Sequence, residues 1–238
     1  MPQGAERFDR GPRYVDRVTT FPELLDRRLA TGAGQPLVTF YDDATGERTE
    51  LSVTTFANWV AKTANLYADE LMLDPGDLVR IDLPPHWLTP VFLGAAWTCG
   101  IELAAADRDA DASVVGPEGL DESREGGSPM LACSLTPFAG RFTDPLPPGV
   151  LDHGVLWPGQ SDVFIPTDPV VLDVPEPDDR RVITDLNPLG EEGRRLLLAL
   201  LAGTGSLVLV ANPEERQWPA HVESERATAS VRTGQPTS

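Results

Sequence analysis

The segment from Asp107 to Glu118 carries carboxylates at the spacing of a calcium-binding loop. Oxygen ligands stand at positions 1, 3, 5 and 12 of that pattern, on Asp107, Asp109, Asp111 and Glu118. Position 6 holds Ala112, whereas the tight turn of such a loop requires glycine. A solvated acidic loop explains the segment better than a metal site, so we predict no bound metal.

A second group of candidate residues follows two predicted strands. His86 and Trp87 come after a strand over 78–83, and Asn187 comes after a strand that ends near Leu186. In open α/β sheets, ligands bind at the carboxyl ends of the strands. We therefore predict His86, Trp87 and Asn187 as ligand-binding residues. Loop packing and helix capping are the structural alternative for the same three side chains.

The sequence gives little support for other catalytic or metal-binding motifs. Ser161 lacks the second glycine of a nucleophile elbow. The three histidines, His86, His153 and His221, are far apart in sequence, and there is no H-x-x-x-H or C-x-x-C pair for zinc. Lys62 is the only lysine, which excludes any mechanism that needs two.

The charge balance restricts the partners. The chain has 19 basic and 37 acidic residues, a net charge of −18, and residues 102–192 contribute −14 of it. This balance argues against binding to nucleic acid or insertion into an anionic membrane. The longest apolar run, 196–211, contains the polar interruption 203–206 and is too short to span a bilayer as a helix.

Two further features indicate a cytoplasmic location. Cys99 and Cys133 are too few for a disulfide framework, and each lies in an apolar context that is typical of a reduced, buried thiol. The N-terminal segment carries charges but no apolar core, so it does not have the pattern of a signal peptide.

The first half of the chain alternates helix and strand signals. Capping residues, apolar spacing and turn residues predict the following elements: a helix over 20–31, a hairpin of strands 36–41 and 48–53, a helix from its cap Ser52 to about Met72, a strand over 78–83 and a helix over 87–99.

The strand–helix pattern occurs twice. Residues 79–100 align without a gap with 182–203, at a constant offset of 103, and seven of the 22 positions are identical. Internal duplication and a shared strand–Pro–helix–Gly pattern both explain this match. Each β–α–β unit requires parallel strands joined by a helical crossover. We therefore predict an α/β fold with two pseudo-repeated β–α–β units, about 78–105 and 181–211, in mostly parallel sheets flanked by helices.

The domain organisation follows from composition. We predict an N-terminal arm over 1–19, an α/β domain over 20–213 and a polar, partly disordered tail over 214–238. The acidic middle region, 106–180, is rich in proline and glycine. Its short strand candidates are 112–116, 129–135 and 162–165.

The segment from Phe21 to Leu103 resembles the start of the adenylate-forming (AMP-binding) superfamily, which includes the acyl-CoA synthetases. LSVTTFANWV is similar to that family's L-T-Y-x-E-L helix, and LDPGDLVRIDLPPHW to its G-V-x-P-G-D-R-V-A-I-x-L-P-N strand. LLALLAGTGSLVLV resembles a later unit of the family. The resemblance covers about half of the chain. In length and acidity, the whole chain is most similar to a short actinobacterial family of synthetase-like proteins.

The family's catalytic machinery has no counterpart here. The resemblance implies a Ser/Thr/Gly-rich phosphate loop ending in Lys-Gly, but no such loop exists between 104 and 181. The catalytic lysine is absent, and Leu186-Asn-Pro-Leu-Gly190 stands where the family has a histidine. We expect no cofactor and a non-catalytic module that binds an acyl or CoA-like molecule or a protein partner. The alternative is an enzyme of altered chemistry, hydrolase- or transferase-like, that uses Asp and His at the strand ends.

Overall fold

A computed structural model describes residues 18–105, 108–120 and 127–234 of the chain. The helices are α1 (Phe21–Gly32), α2 (Val53–Asp69), α3 (Leu88–Cys99), α4 (His153–Leu156), α5 (Glu191–Ala202) and α6 (Trp218–Ser224). The strands are β1 (Val18–Thr20), β2 (Pro36–Asp42), β3 (Glu47–Ser52), β4 (Leu78–Asp82), β5 (Glu102–Leu103), β6 (Ala112–Val115), β7 (Met130–Ala132), β8 (Val150–Asp152), β9 (Val171–Asp173), β10 (Arg181–Thr184), β11 (Ser206–Ala211) and β12 (Ala229–Val231).

Two five-stranded sheets hold the two pseudo-repeated units. The first sheet has the order β5-β4-β6-β7-β8, and every pair in it is parallel. The second has the order β12-β10-β11-β2-β3 and is parallel except for the β2–β3 hairpin. Strands β1 and β9 form a separate antiparallel pair. The fold class is therefore α/β with mostly parallel sheets, as predicted.

Helix α3 lies at the centre of the molecule. Every one of its residues is buried, which is expected of a helix that is apolar on all sides. It ends at Gly100, whose φ of 77° lies in the left-handed region. A Cβ there would lie 2.2 Å from the carbonyl oxygen of Asp168, so glycine meets both the conformation and the close approach.

Local signals placed most of the predicted elements correctly. The Thr20–Glu23 capping box starts α1, and the Ser52 hydroxyl accepts a hydrogen bond from the Thr55 N–H at the start of α2. The hairpin, β4 and α3 form at the predicted positions, and so do β6 and β7 in the acidic middle region. Both β–α–β units have parallel neighbouring strands.

Two expectations were wrong. Residues 162–165 form no strand, and the Asn65 amide donates hydrogen bonds to the Ser161 and Val163 carbonyls in place of a ladder. The segment predicted as a partly disordered tail contains α6 and β12. It is ordered because β12 pairs with β10 and the buried Trp218 packs on that sheet.

Candidate functional site

A cleft of about 610 Å³ lies at the carboxyl ends of β4 and β6. We call it the strand-end cleft. Its position is the one at which open α/β sheets bind ligands. Its lining residues come from the two strand ends and two further loops: Asp82, Leu83, Pro84, Gly116, Pro117, Glu118, Gly119, Leu135 and Asn212.

The short loop after β6 forms one wall of the cleft. The Gly116 N–H donates to the Asp82 carbonyl, and the Gly119 N–H donates to the Gly116 carbonyl, both at 3.2 Å. A Cβ on Gly119 would lie 3.0 Å from the Cβ of Val115, so glycine lets the loop turn close to its own strand. This turn holds Glu118 at the cleft.

The lining of the cleft carries negative charge. Asp82 and Glu118 are exposed carboxylates, and the described lining residues include no lysine or arginine. The single lysine, Lys62, is used elsewhere, because its Nζ donates to the carbonyls of Pro158 and Gln160. A nucleotide triphosphate would therefore meet like charges in this cleft and no compensating cation.

Asn187, one of the predicted site residues, joins the two pseudo-repeated units at their strand ends. Its Nδ2 donates to the Leu83 carbonyl at 3.0 Å, and its Oδ1 accepts from the Leu189 N–H at 3.0 Å. Gly193 makes room for this turn, since a Cβ there would lie 2.2 Å from the Asn187 carbonyl oxygen. Asn187 thus positions Leu83, which lines the cleft.

His86 and Trp87 lie in the loop between β4 and α3, and their side chains point into the interior. They are 3% and 1% exposed. The His86 Nδ1 accepts a hydrogen bond from the Leu88 N–H at 3.2 Å, and its ring packs edge-on against Phe40 at 4.8 Å. Burial lowers the pKa of His86 to about 3, although Asp42 acts in the opposite direction. The imidazole is neutral at pH 7, and the ligand-binding roles of His86 and Trp87 stay predictions.

Two lining residues adopt left-handed backbone conformations that side chains rarely occupy. Leu135 has φ 54° and Asn212 has φ 47°. At Leu135 this conformation costs about 1–3 kcal/mol and is of the kind found at functional sites, whereas asparagine adopts it readily. Sequence reasoning missed both residues, because they lie beyond the predicted β–α–β units. The Gly-Pro-Glu-Gly run at 116–119, directly after an apolar strand, was the available signal for the loop.

Two acidic residues of the calcium pattern have other places in the structure, since Glu118 lines the strand-end cleft and Asp111 contacts the start of β4. Asp111 Oδ2 accepts a hydrogen bond from the Leu78 N–H at 2.8 Å, and Ala112 begins β6 where a calcium loop would turn. Among the described residues, no three His, Cys, Asp or Glu side chains are grouped to hold a metal. Asp107 lies outside the described residues, so the complete set of four is not tested.

The structure also bears on the membrane question. In the part of the chain that it describes, none of the helices has both the length and the apolar character needed to cross a bilayer.

Comparison of the fold with solved structures identifies acyl-CoA synthetases. The chain superposes on the acyl-CoA synthetase of Brucella canis with a TM-score of 0.72 and 15% identity, covering 91% of this chain and 48% of that one. A Mycobacterium tuberculosis fatty acyl CoA synthetase gives a TM-score of 0.66 at 8% identity, covering 89% and 48%. The N-terminal domain of FACL13 from the same organism gives 0.64 at 10% identity, covering 89% and 62%.

These comparisons establish the fold. The chain spans about half the length of the first two synthetases. No family model matches the chain. A TIGR03089 family protein of Mycobacterium tuberculosis (strain ATCC 25618 / H37Rv) is 33% identical over 231 residues, which cover 86% of this chain and 95% of that protein. With this identity over nearly the full length of the relative, the chain belongs to the TIGR03089 family and has an acyl-CoA-synthetase-like fold.

Proposed function

We propose that the protein binds a small acyl or CoA-like ligand at the strand-end cleft and does not adenylate it. The observation that carries this proposal is a cleft of ligand size with carboxylates and no cation in its described lining. Its volume of about 610 Å³ falls within the usual range for small-molecule sites. The fold that surrounds the cleft is similar to that of an acyl-CoA synthetase.

The lining favours one part of such a ligand. Asp82 and Glu118 accept hydrogen bonds, so they suit amide N–H and hydroxyl donors and repel phosphate. Leu83, Pro84 and Leu135 supply apolar contacts. An uncharged acyl-pantetheine arm combines both properties, whereas ATP and AMP do not.

Two of the chain's 19 basic residues support the non-adenylating role, because both bind groups outside the cleft. Lys62 is tied to the carbonyls of Pro158 and Gln160. Arg181, which lies on β10, donates to Glu225 and to the hydroxyls of Thr39 and Ser206. Neither side chain belongs to the lining of the cleft. The proposal also places the protein in the cytoplasm, supported by the free, buried thiols of Cys99 and Cys133.

The test is a thermal-unfolding panel with Mg-ATP, AMP, CoA, acyl-CoA, acyl-pantetheine and calcium. A ligand at ten times its Kd stabilises the folded state by about 1.4 kcal/mol, which raises Tm by roughly 3–6 °C for a chain of this size. We expect a shift with acyl-pantetheine or acyl-CoA and none with Mg-ATP. A shift with Mg-ATP would overturn the non-adenylating role.

Variants locate the binding site. Glu118→Gln removes one lining carboxylate and should weaken binding, whereas Asp69→Asn, at the exposed end of α2, is the matched control. His86→Ala and Asn187→Ala test the two loops that hold the cleft. If none of the three site variants changes any ligand shift, the ligand binds elsewhere.

A protein partner is the second candidate, because several large apolar side chains are exposed. Phe138 is 84% exposed and Ile165 is 79% exposed, and exposed apolar patches are typical of interaction sites. The panel separates the candidates. No shift with any small molecule would favour a partner, and consumption of acyl-CoA during the assay would favour an enzyme of altered chemistry.

A further inference from the structure

Five aromatic side chains from three parts of the chain pack together, four of them buried and Trp157 partly buried, and we call them the Trp–His cluster. Trp59 of α2 stacks on Trp157 at 3.5 Å between ring centroids and meets Trp87 edge-on at 4.7 Å. His86 lies 5.4 Å from Trp87, and His153 lies 6.2 Å from Trp59. The cluster lies inward of the loop that lines the strand-end cleft, and its members do not line that cleft.

Polar atoms without a partner concentrate in this cluster. In the described residues, five buried side-chain nitrogen or oxygen atoms have no hydrogen-bond partner. Four of them belong to the Trp–His cluster: His86 Nε2, Trp87 Nε1, His153 Nε2 and Trp157 Nε1. The fifth, Thr63 Oγ1, is one helical turn after Trp59 on α2. Because an unsatisfied buried polar group costs about 1–3 kcal/mol, this concentration in one place requires an explanation.

The unpartnered groups are mainly donors. The His86 Nδ1 accepts the Leu88 N–H, so its proton is on Nε2 and points to no acceptor. The indole nitrogens of Trp87 and Trp157 can only donate. Burial lowers the pKa of His86 to about 3 and that of His153 to about 4, so neither ring is charged at pH 7.

This chemistry selects one kind of ligand. Three uncharged N–H donors call for hydrogen-bond acceptors, and the surrounding rings call for a flat apolar body. The Lys62 Nζ lies 5.2 Å from the centroid of the Trp157 ring, but it already donates to the Pro158 and Gln160 carbonyls. A carboxylate in the cluster would therefore bury a charge without a cation that is free to pair with it, which is costly. A metal ion does not suit His86, because the nitrogen that faces the cluster already carries a proton.

A strap of residues 158–166 follows Trp157 and lies along α2. Polar bonds hold it there: Lys62 donates to the Pro158 and Gln160 carbonyls, and Asn65 donates to the Ser161 and Val163 carbonyls. Val163 and Ile165 of the strap are 66% and 79% exposed. A groove of about 350 Å³ also separates the far end of the strap from α1 and α2. Phe164 is the apolar side chain of the strap that packs against the core. Segments with few buried apolar contacts open locally at low cost.

We propose that the Trp–His cluster is a binding site for a small, flat, uncharged molecule that carries a carbonyl oxygen, and that such a molecule enters when the strap lifts from α2. The acceptor pairs with the N–H groups of His86, Trp87 or Trp157, and the body of the molecule packs on the indole rings. This site is distinct from the strand-end cleft and does not depend on the function proposed there.

The test compares three probes of nearly equal size on the wild-type protein by tryptophan fluorescence and thermal unfolding. Acetophenone has the carbonyl acceptor, ethylbenzene lacks it, and benzoate carries a charge. We expect saturable binding of acetophenone about tenfold or more tighter than of ethylbenzene, since one recovered hydrogen bond to a buried donor has that effect, and weaker binding of benzoate. Equal affinities, or no saturable binding, would overturn the proposal and assign the unpartnered atoms to internal water only.

Variants make the test specific to the cluster. Trp157→Phe removes one N–H and should reduce the preference for acetophenone, whereas Trp218→Phe, whose indole N–H in the wild type donates to the Ser230 hydroxyl, is the control. Lys62→Met removes two bonds of the strap and the cation that lies 5.2 Å from the Trp157 ring centroid, and it should speed both association and dissociation. Glu118→Gln should leave acetophenone binding unchanged. If it weakens acetophenone as much as it weakens acyl-pantetheine, the probe occupies the strand-end cleft and the proposal fails.

Discussion

Arg28 connects the first helix to the second β–α–β unit, and its replacement by methionine should cost about 3 kcal/mol of unfolding free energy. The side chain is only 4% exposed. Its Nη1 lies 2.8 Å from the Leu200 carbonyl, 3.0 Å from that of Gly203 and 2.9 Å from that of Gly205. These carbonyls belong to the end of α5 and the turn that follows it. The last carbonyls of a helix have no N–H donor within the helix.

The magnitude follows from the number of hydrogen atoms. Nη1 has two, so the three carbonyls share about two full bonds. At about 1.5–3 kcal/mol for each bond from a charged donor, their gross contribution is about 3–6 kcal/mol. Burial lowers the pKa of Arg28, and Asp179 opposes this shift. The associated desolvation cost reduces the gross contribution, whereas the partial negative charge at the end of α5 adds to it.

The assay is urea-induced unfolding at pH 7, followed by circular dichroism. Arg28→Met keeps the length of the side chain but removes the donors, and Arg27→Met changes an exposed arginine on the same helix. We expect the urea midpoint to fall for Arg28→Met with an unchanged m-value, and a change below about 0.5 kcal/mol for the control. A loss below about 1 kcal/mol for Arg28→Met would mean that desolvation cancels the bonds and would refute this reasoning.

Three further predictions concern titration and reactivity. Burial raises the pKa of Glu225, but hydrogen bonds from Tyr41 and two arginines outweigh it and lower the pKa overall. Its stabilisation is therefore present above pH 4.5 and is lost as the pH falls through the lower folded value, and Glu225→Gln should reduce the acid sensitivity of unfolding below pH 4.5. Burial lowers the pKa of His153 from 6.5 to about 4, so this residue alone should reduce the free energy of unfolding by about 2 kcal/mol at pH 5. His86, whose pKa burial lowers to about 3, should add a loss of similar size, and His153→Phe should remove about half of this fall in urea titrations. Burial raises the pKa of Cys99 to about 12 and that of Cys133 further, so both thiols should resist a thiol reagent at pH 8 until urea unfolds the chain; fast reaction of the folded protein would contradict their burial.

Local signals predicted the elements whose stabilising contacts are close in sequence. The capping box of α1, the Ser52 cap of α2 and the left-handed glycine after α3 are examples. The strands β8 and β9 were missed because three residues are too few to show a strand period, and because the partner of β9 is also distant in sequence. Strand β9 pairs with β1, which lies about 150 residues earlier in the chain.

The C-terminal segment shows the same limit. Its polar composition predicted a partly disordered tail, yet His221 lies 2.7 Å from the Asp43 carboxylate and Glu225 pairs with Arg48 and Arg181. These partners belong to the loop after β2 and to strands β3 and β10. This polar segment is ordered because it forms ion pairs with charged residues that are distant in sequence. Composition carries no information on such partners.

The candidate site was predictable in position but not in detail. Strand-end logic placed a cleft beside Leu83, and the structure has one there. The sequence could not indicate that His86 and Trp87 point inward, because the direction of a side chain in a loop depends on which other residues pack against it. Here the ring of Phe40 packs against His86, and the ring of Trp59 packs against Trp87. Periodicity within the loop does not encode either contact.

Asn187 connects the equivalent loops of the two aligned units. At the offset of 103, Asn187 corresponds to Pro84, and Leu186 corresponds to Leu83. The two equivalent loops therefore touch each other, because the Asn187 amide donates to the Leu83 carbonyl. Proline has no side-chain donor, so a contact of this kind runs in one direction only. This asymmetric bond joins the two units at the edge where the cleft forms, whether they arose by duplication or share only a common pattern. Binding of a ligand in the cleft would therefore depend on the relative position of both sheets.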